Sequence, residues 1–144
     1  DKDARALSIA KRLHSLEGTA RAWDLKLDGA GAGWARCSFV VRDDMLNGHG
    51  TAHGGLIFAL ADTAFAWACN SRNVRAFAQH ASISFLSMAK AGERLTAEAR
   101  EEASEGRTGV YDVRVTGEDG RVIAIFQGLS RTAGGAVIEE DKHD

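Results

Sequence analysis

Between Leu56 and Cys69 the chain is apolar at almost every position, with Asp62 the one charged residue in the run. The length of this run and its freedom from breakers predict a helix that opens directly after His53-Gly54-Gly55 and ends near Asn70. A helix apolar on nearly every side is expected to be buried at the centre of the domain. Toward the N-terminus the period changes. Ile9, Leu13 and Leu16 recur at helical spacing from about Ala4 to Leu16, with Lys11 and Arg12 outward and Gly18 as the stop, which predicts an amphipathic helix. Trp23, Leu25 and Leu27 then alternate with Asp24, Lys26 and Asp28, and a glycine-rich turn from Gly29 to Gly33 leads to a second strand from Trp34 to Val41. After the buried helix the pattern is that of strands: Phe77, Ala81, Ile83 and Phe85 in one, Leu95, Ala97 and Ala99 in the next, then Val110 to Val115 and Val122 to Leu129. Glu105-Gly106 and Glu118-Asp119-Gly120 supply tight turns between neighbours, which favours antiparallel pairing. The fold class expected is α+β, a strongly curved antiparallel sheet wrapped around one central helix with the N-terminal helix outside.

Composition narrows the classes of function. At 144 residues with a formal net charge of −2, the chain reads as a single domain spanning residues 1–144. Neither a nucleic-acid partner nor an anionic membrane surface is expected, because both call for a clustered excess of Lys and Arg. No apolar run reaches membrane-span length, and Asp1-Lys2-Asp3-Ala4-Arg5 is too charged to read as a signal peptide. The chain carries no initiator Met, which leaves room for residues upstream. Cys37 and Cys69 lack Cys-x-x-Cys spacing and sit in apolar runs, so the expectation is two buried free thiols in a reducing, cytoplasmic setting.

The chemistry concentrates around the central helix. A carboxylate carried into an apolar helix costs several kcal/mol (about 3–5 when its partner is removed) unless something pairs with it or uses it. At the other end of the helix, Gly54 and Gly55 leave first-turn N–H groups unshielded and ready to donate to an oxygen that gains negative charge. Eight residues separate Gly54 from Asp62, which is about 12 Å along one helix axis. They cannot both touch one small reacting group. If both serve one reaction, two copies of the helix run side by side in opposite senses, and the site lies between subunits.

Asn47, Gly50, His53-Gly54-Gly55 and Asp62 in Leu60-Ala61-Asp62 resemble the signature of the hotdog-fold acyl-CoA thioesterases. The stretch from His49 through Ser71-Arg72 is similar to the phenylacetate-degradation (PaaI-type) branch of that family, and the order of elements agrees along most of the chain. Two positions depart from the branch pattern: Ala52 stands where Cys is frequent, and Phe77-Ala78-Gln79 offers no hydroxyl on the strand after the helix. The resemblance implies a homotetramer of two hotdog dimers. It also implies hydrolysis of an aryl-acyl CoA thioester of phenylacetyl or hydroxyphenylacetyl type, with no metal or redox cofactor and with coenzyme A as part of the substrate.

Within that scheme Gly54 donates to the thioester carbonyl, and Asp62 of the partner chain either attacks the carbonyl or takes a proton from water. His53 and Asn47 orient the loop and the thioester. Gly55 and Thr63, adjacent to the two principal residues, are added as substrate contacts, and Lys90, Arg94 and Arg107 flank strand ends where a CoA pyrophosphate could lie. Simpler readings stand beside these. Asp62 could be held by an Arg as a structural pair, the three cations could be solvated surface charge, and His53 could be a hydrogen-bonded turn residue. His49 and His53 have a metal-ligand spacing but no third ligand nearby, Phe65 and Trp67 read as core, and Gly29-x-Gly31-x-Gly33 precedes a strand, so it is read as a hairpin turn. A hotdog hydratase acting on enoyl-CoA and a non-catalytic acyl-CoA-binding protein are the rival functions.

Overall fold

The computed structural model describes residues 1–140. Helix α1 (Lys2–Leu16) begins at Asp1, whose carboxylate accepts from the N–H groups of Asp3 and Ala4. Its buried contacts are Ala6, Ile9 and Ala10, so small residues set α1 close against the first strand, while Leu13 is half-buried and Leu16 is left exposed. The first helix ends at Leu16 as expected, but a second helical turn, unforeseen, starts at Gly18. One extended residue, Glu17, is followed by the short helix α2 (Gly18–Ala22), closed by the Trp23 N–H on the Thr19 carbonyl. Asp24 takes a positive φ of 49°, so the alternating stretch from Trp23 enters the sheet only at Lys26.

The strands are β1 (Lys26–Gly31), β2 (Trp34–Val40), β3 (Ala76–Phe85), β4 (Arg94–Glu105), β5 (Thr108–Thr116) and β6 (Val122–Thr132). The predicted glycine turn is tighter than its composition suggests: β1 continues to Gly31, which pairs with Trp34 across a two-residue turn at Ala32-Gly33, and Gly33 adopts φ +77°. All pairings are antiparallel in the order β1-β2-β4-β5-β6-β3, so β3 is an edge strand hydrogen-bonded on one side only.

Helix α3 (Gly54–Cys69) lies in the concave face of this sheet, the hotdog arrangement. Ile57, Leu60, Ala61, Ala64, Phe65 and Ala68 pack onto Ala35, Cys37, Ala97, Ala99, Val113 and Phe126, and the small side chains of β2 and β4 allow a close approach. The helix is not covered on every side, contrary to expectation. Gly55, Ala59, Asp62, Ala66 and Cys69, spaced three or four apart, form a stripe that this chain leaves partly open. The cysteines are free; Cys37 is buried, and Cys69 is half-buried on that stripe. No helix among the described residues is long and apolar enough to cross a membrane.

The closeness of helix and sheet is testable at Gly128 of β6, where an added Cβ would lie 2.7 Å from the Phe65 ring. Gly128→Ala is expected to cost about 1–3 kcal/mol in urea unfolding through overpacking. Gly48→Ala, with open space around its position, serves as the near-neutral control. Equal stability of the two variants would contradict the packing described.

Candidate active site

The chain reaches the start of α3 through a pinned loop. Asn47 donates its N–H to the Thr51 carbonyl at 2.8 Å, and its Oδ1 accepts from the N–H groups of His49 and Thr51 at 2.9 and 3.1 Å. Ala52 donates to Ala89, and His53 donates to Met45, each at 2.8 Å. Asn47 therefore holds the loop together through an oxygen already engaged within it.

His53 caps α3: its Nδ1 accepts from the Gly55 N–H at 2.9 Å, which places the ring proton on Nε2 at the exposed side. This bond occupies Gly55, so of the two glycines only Gly54 presents an N–H that meets no acceptor among the described residues. The donor sits at the positive end of the helix dipole, aimed away from the helix. The exposed aromatic ring of Phe85 lies beside Gly54, 3.2 Å from where a Cβ would be, so a side chain at this position requires the ring to give way by a few tenths of an ångström.

Two turns along, Asp62 is half-buried and has neither a hydrogen-bond nor an ion-pair partner among the described residues, so the structural-pair reading with an Arg finds no support within the chain. Burial pushes its carboxyl above the ordinary carboxylate range, and the like charge of Glu17, at the α1–α2 junction, adds to the shift. Burial, with the charge of Asp62 as a smaller contribution, also pushes the Cys69 thiol up to about 12, so this thiol stays protonated and is no nucleophile near neutral pH.

The remaining predicted contacts do not gather here. The Thr63 residue is buried, and its hydroxyl donates to the Ala59 carbonyl at 2.8 Å, one turn back in the same helix. Arg94 projects from the face of β4 opposite to Leu95, Ala97 and Ala99, away from α3, and its guanidinium donates to Ser38 Oγ at 2.9 Å. Arg107 lies in the β4–β5 turn, roughly 40 Å of strand beyond Arg94, so one pyrophosphate cannot meet both in one chain. Lys90 alone is well placed: exposed, without a carboxylate partner among the described residues, and next to Ala89, which holds the loop before α3. No three His, Cys, Asp or Glu side chains among the described residues converge as a metal site would require. Phe85 and Glu17 are the residues sequence reasoning missed. Phe85 carried only a strand signal, and Glu17 lies between two helices where no periodicity marks it.

The unpaired carboxylate has a stability signature. Its ionisation is disfavoured in the folded chain, so the cost is complete at neutral pH and absent once pH falls below the ordinary carboxylate value of 3.8, where both states hold the proton. Asp62→Asn is expected to raise the urea midpoint at pH 7, and this gain is expected to vanish as pH falls through the carboxylate range. An Asn variant no more stable than the parent at pH 7 would contradict this electrostatic account.

Comparison with known proteins identifies the family. The thioesterase superfamily profile matches residues 49–124, which begin two residues after Asn47 and contain the His53 cap, Gly54 and Asp62. The Escherichia coli acyl-coenzyme A thioesterase PaaI is 37% identical over 136 residues, covering 94% of this chain and 97% of that protein. The structure of the E. coli PaaI protein from the phenylacetic acid degradation operon superposes with a TM-score of 0.92 at 36% identity, covering 94% of this chain and 99% of that one. The phenylacetic acid degradation protein PaaI from Thermus thermophilus, in a mutant form, gives a TM-score of 0.77 at 38% identity over 81% of this chain and 99% of that one. The chain therefore belongs to the thioesterase superfamily and is a thioester hydrolase built on the hotdog fold.

Proposed function

We propose that this protein hydrolyses acyl-CoA thioesters whose acyl group carries an aromatic ring, of phenylacetyl or hydroxyphenylacetyl type, at a site shared by two copies of the chain. The observation that carries the reading is the pair formed by an unpartnered Gly54 N–H at the start of α3 and an unpaired Asp62 carboxylate farther along the same helix. The E. coli relative, an acyl-coenzyme A thioesterase, supports the substrate class.

Symmetry supports the sharing. Within one chain Phe85 stands beside Gly54, and Phe77, at the other end of β3, borders the same cleft as Ala66. A second copy that pairs antiparallel along the open edge of β3 about Ala81 brings Phe77 level with the Phe85 of that copy. It thereby brings the Gly54 of that copy level with Asp62 and Ala66. The exposed Phe77 and Phe85, and the open stripe of α3, are the surfaces such pairing would cover.

At that junction the thioester oxygen accepts from the Gly54 N–H as negative charge develops on it, strengthened by the helix dipole and a dry surround. Asp62 of the other copy acts as an ionised carboxylate, attacking the carbonyl or deprotonating the attacking water. The departing CoA thiolate is stable enough to need no strong acid, and the scheme needs no metal or redox cofactor. Lys90, beside the same helix start, is the lysine positioned to meet a CoA phosphate.

A thiol-release assay across acyl-CoA esters tests the reading. Phenylacetyl- and benzoyl-type esters are expected ahead of acetyl-CoA, with medium chains tolerated, and Asp62→Asn is expected to lower kcat by about 10²-fold or more while the protein stays folded. Unchanged turnover in the Asn variant would remove Asp62 from the chemistry, and acetyl-CoA or long-chain esters ranked first would remove the aromatic substrate class.

Sharing is tested by complementation. Gly54→Pro deletes the free N–H at the first helical position, where proline is well tolerated, and the extended His53 (ψ 132°) suits a following proline. Mixed in equal amounts with Asp62→Asn and allowed to exchange, half of the dimers are mixed and each carries one intact site. Activity should therefore recover to about a quarter of wild type. Demonstrated exchange without recovery would overturn the sharing of the site between copies.

A further inference from the structure

A cleft of about 380 Å³ lies beside the C-terminal half of α3, one turn beyond Asp62, and has no role in the scheme so far. Its walls include Ala66 and Trp67 of α3, Leu13 and Leu16 of α1, Phe77 of β3 and Val137 of the C-terminal segment, with Glu17 and Arg75 as its charged members. We propose that this cleft is the acyl subsite and that Leu16, on the last turn of α1, is the end wall that sets the size of acyl group accepted. The inference rests on the reading that Asp62 acts on a thioester.

Three observations support it. The first is position: Ala66 lies one turn beyond Asp62 on the same stripe, about 6 Å along the axis. An acyl group whose carbonyl sits at Asp62 extends its far end into the cleft. The second is size and lining. The volume lies near the lower limit of the ~300–1,000 Å³ of small-molecule sites, enough for one acyl group but not for the nucleotide part of CoA. Apolar and aromatic groups make up most of the lining, with Glu17, Asn70 and Arg75 as its polar members, which suits an uncharged ring or short hydrocarbon chain. The third is exposure: Leu16, large and apolar, is 59% exposed on a wall of this cleft and belongs neither to the α3 stripe nor to the β3 edge that pairing of two copies would cover.

The cleft is also held rigid. Arg75 exchanges backbone hydrogen bonds with Gly135 and Ala133 at 3.0 and 2.7 Å, Asn73 Oδ1 accepts from the N–H groups of Val137 and Ile138 at 2.9 Å each, and Arg5 pairs with Glu140 at 2.6 Å. These bonds draw residues 133–140 across from the end of β6 to α1 and fix Val137 as a wall. Asn70 fixes the opposite side, bonding Ala66 in the helix and both backbone groups of Ala76. A pocket with fixed walls discriminates by length where a yielding one would not.

The test alters the end wall in both directions. For wild type, Leu16→Ala and Leu16→Trp, kcat/KM is measured for phenylacetyl-CoA and for 4-phenylbutyryl-CoA. In parallel, affinity is measured by calorimetry for their non-hydrolysable ketone analogues, in which a methylene separates sulfur from the carbonyl. The ratio of the longer to the shorter ester should rise about tenfold in Leu16→Ala and fall in Leu16→Trp, and the affinity ratio of the analogues should follow. Ratios within twofold of wild type in both variants would overturn the assignment of the cleft. If the wild type binds the analogues with this dependence on Leu16 yet releases thiol from no ester, the subsite stands and the hydrolytic function fails.

Discussion

The close seating of α3 in the concave sheet is the contact on which the rest of the structure depends. Alanines and a cysteine on β2 and β4 bring the helix near the sheet, and Gly128 on β6 leaves room for the Phe65 ring. A packed interior has little freedom to yield, so this seating fixes the rotation of α3 about its own axis. Rotation in turn decides which residues are covered. Ile57, Leu60, Ala64 and Ala68 face the sheet, and Asp62 is consigned to the stripe left open beside β3.

That rotation places the carboxylate where it is costly but reachable. Asp62 is desolvated enough for its proton affinity to rise, lies near the like charge of Glu17, and has no cationic partner among the described residues. A site that kept such a group for stability alone would pair it. Stability given up at an unpaired acid is the kind of compromise found where a group is used for chemistry. The opposite end of the helix shows the complementary choice: His53 satisfies Gly55 and leaves Gly54 as the free donor of the pair. Donor and acid are thus prepared separately, too far apart on one helix to meet, and in the proposed dimer the open edge of β3 would bring them together.

Much of this is legible in the residues. The apolar run with one Asp and the glycines at its start identify the central helix, and alternation with Gly-containing turns identifies the antiparallel strands. These are local signals set by the period of each element. The errors are equally local in origin. The short helix from Gly18 goes unseen and the alternating stretch from Trp23 misleads because a short second helix costs little where Gly, Thr and Ala follow one extended residue, and tertiary contacts through Ala20 and Leu25 then decide its fate. Thr63 and Arg94 suggest themselves as substrate contacts by proximity in sequence, which does not report the face of an element. The helix turns Thr63 inward to Ala59, and the strand's two-residue period sends Arg94 to the outer surface.

By itself the sequence determined the elements, the burden of a charge in an apolar helix, and the separation of Gly54 from Asp62, because these follow from composition and from the rise of a helix. Only the tertiary structure decided that α3 has an open stripe, that Gly54 and not Gly55 keeps an N–H free among the described residues, that Phe85 lies beside Gly54, and that Leu16, Phe77 and Val137 line a cleft beyond Asp62. Each of those facts joins residues far apart in the chain, and only the packing of one element on another determines which residues meet.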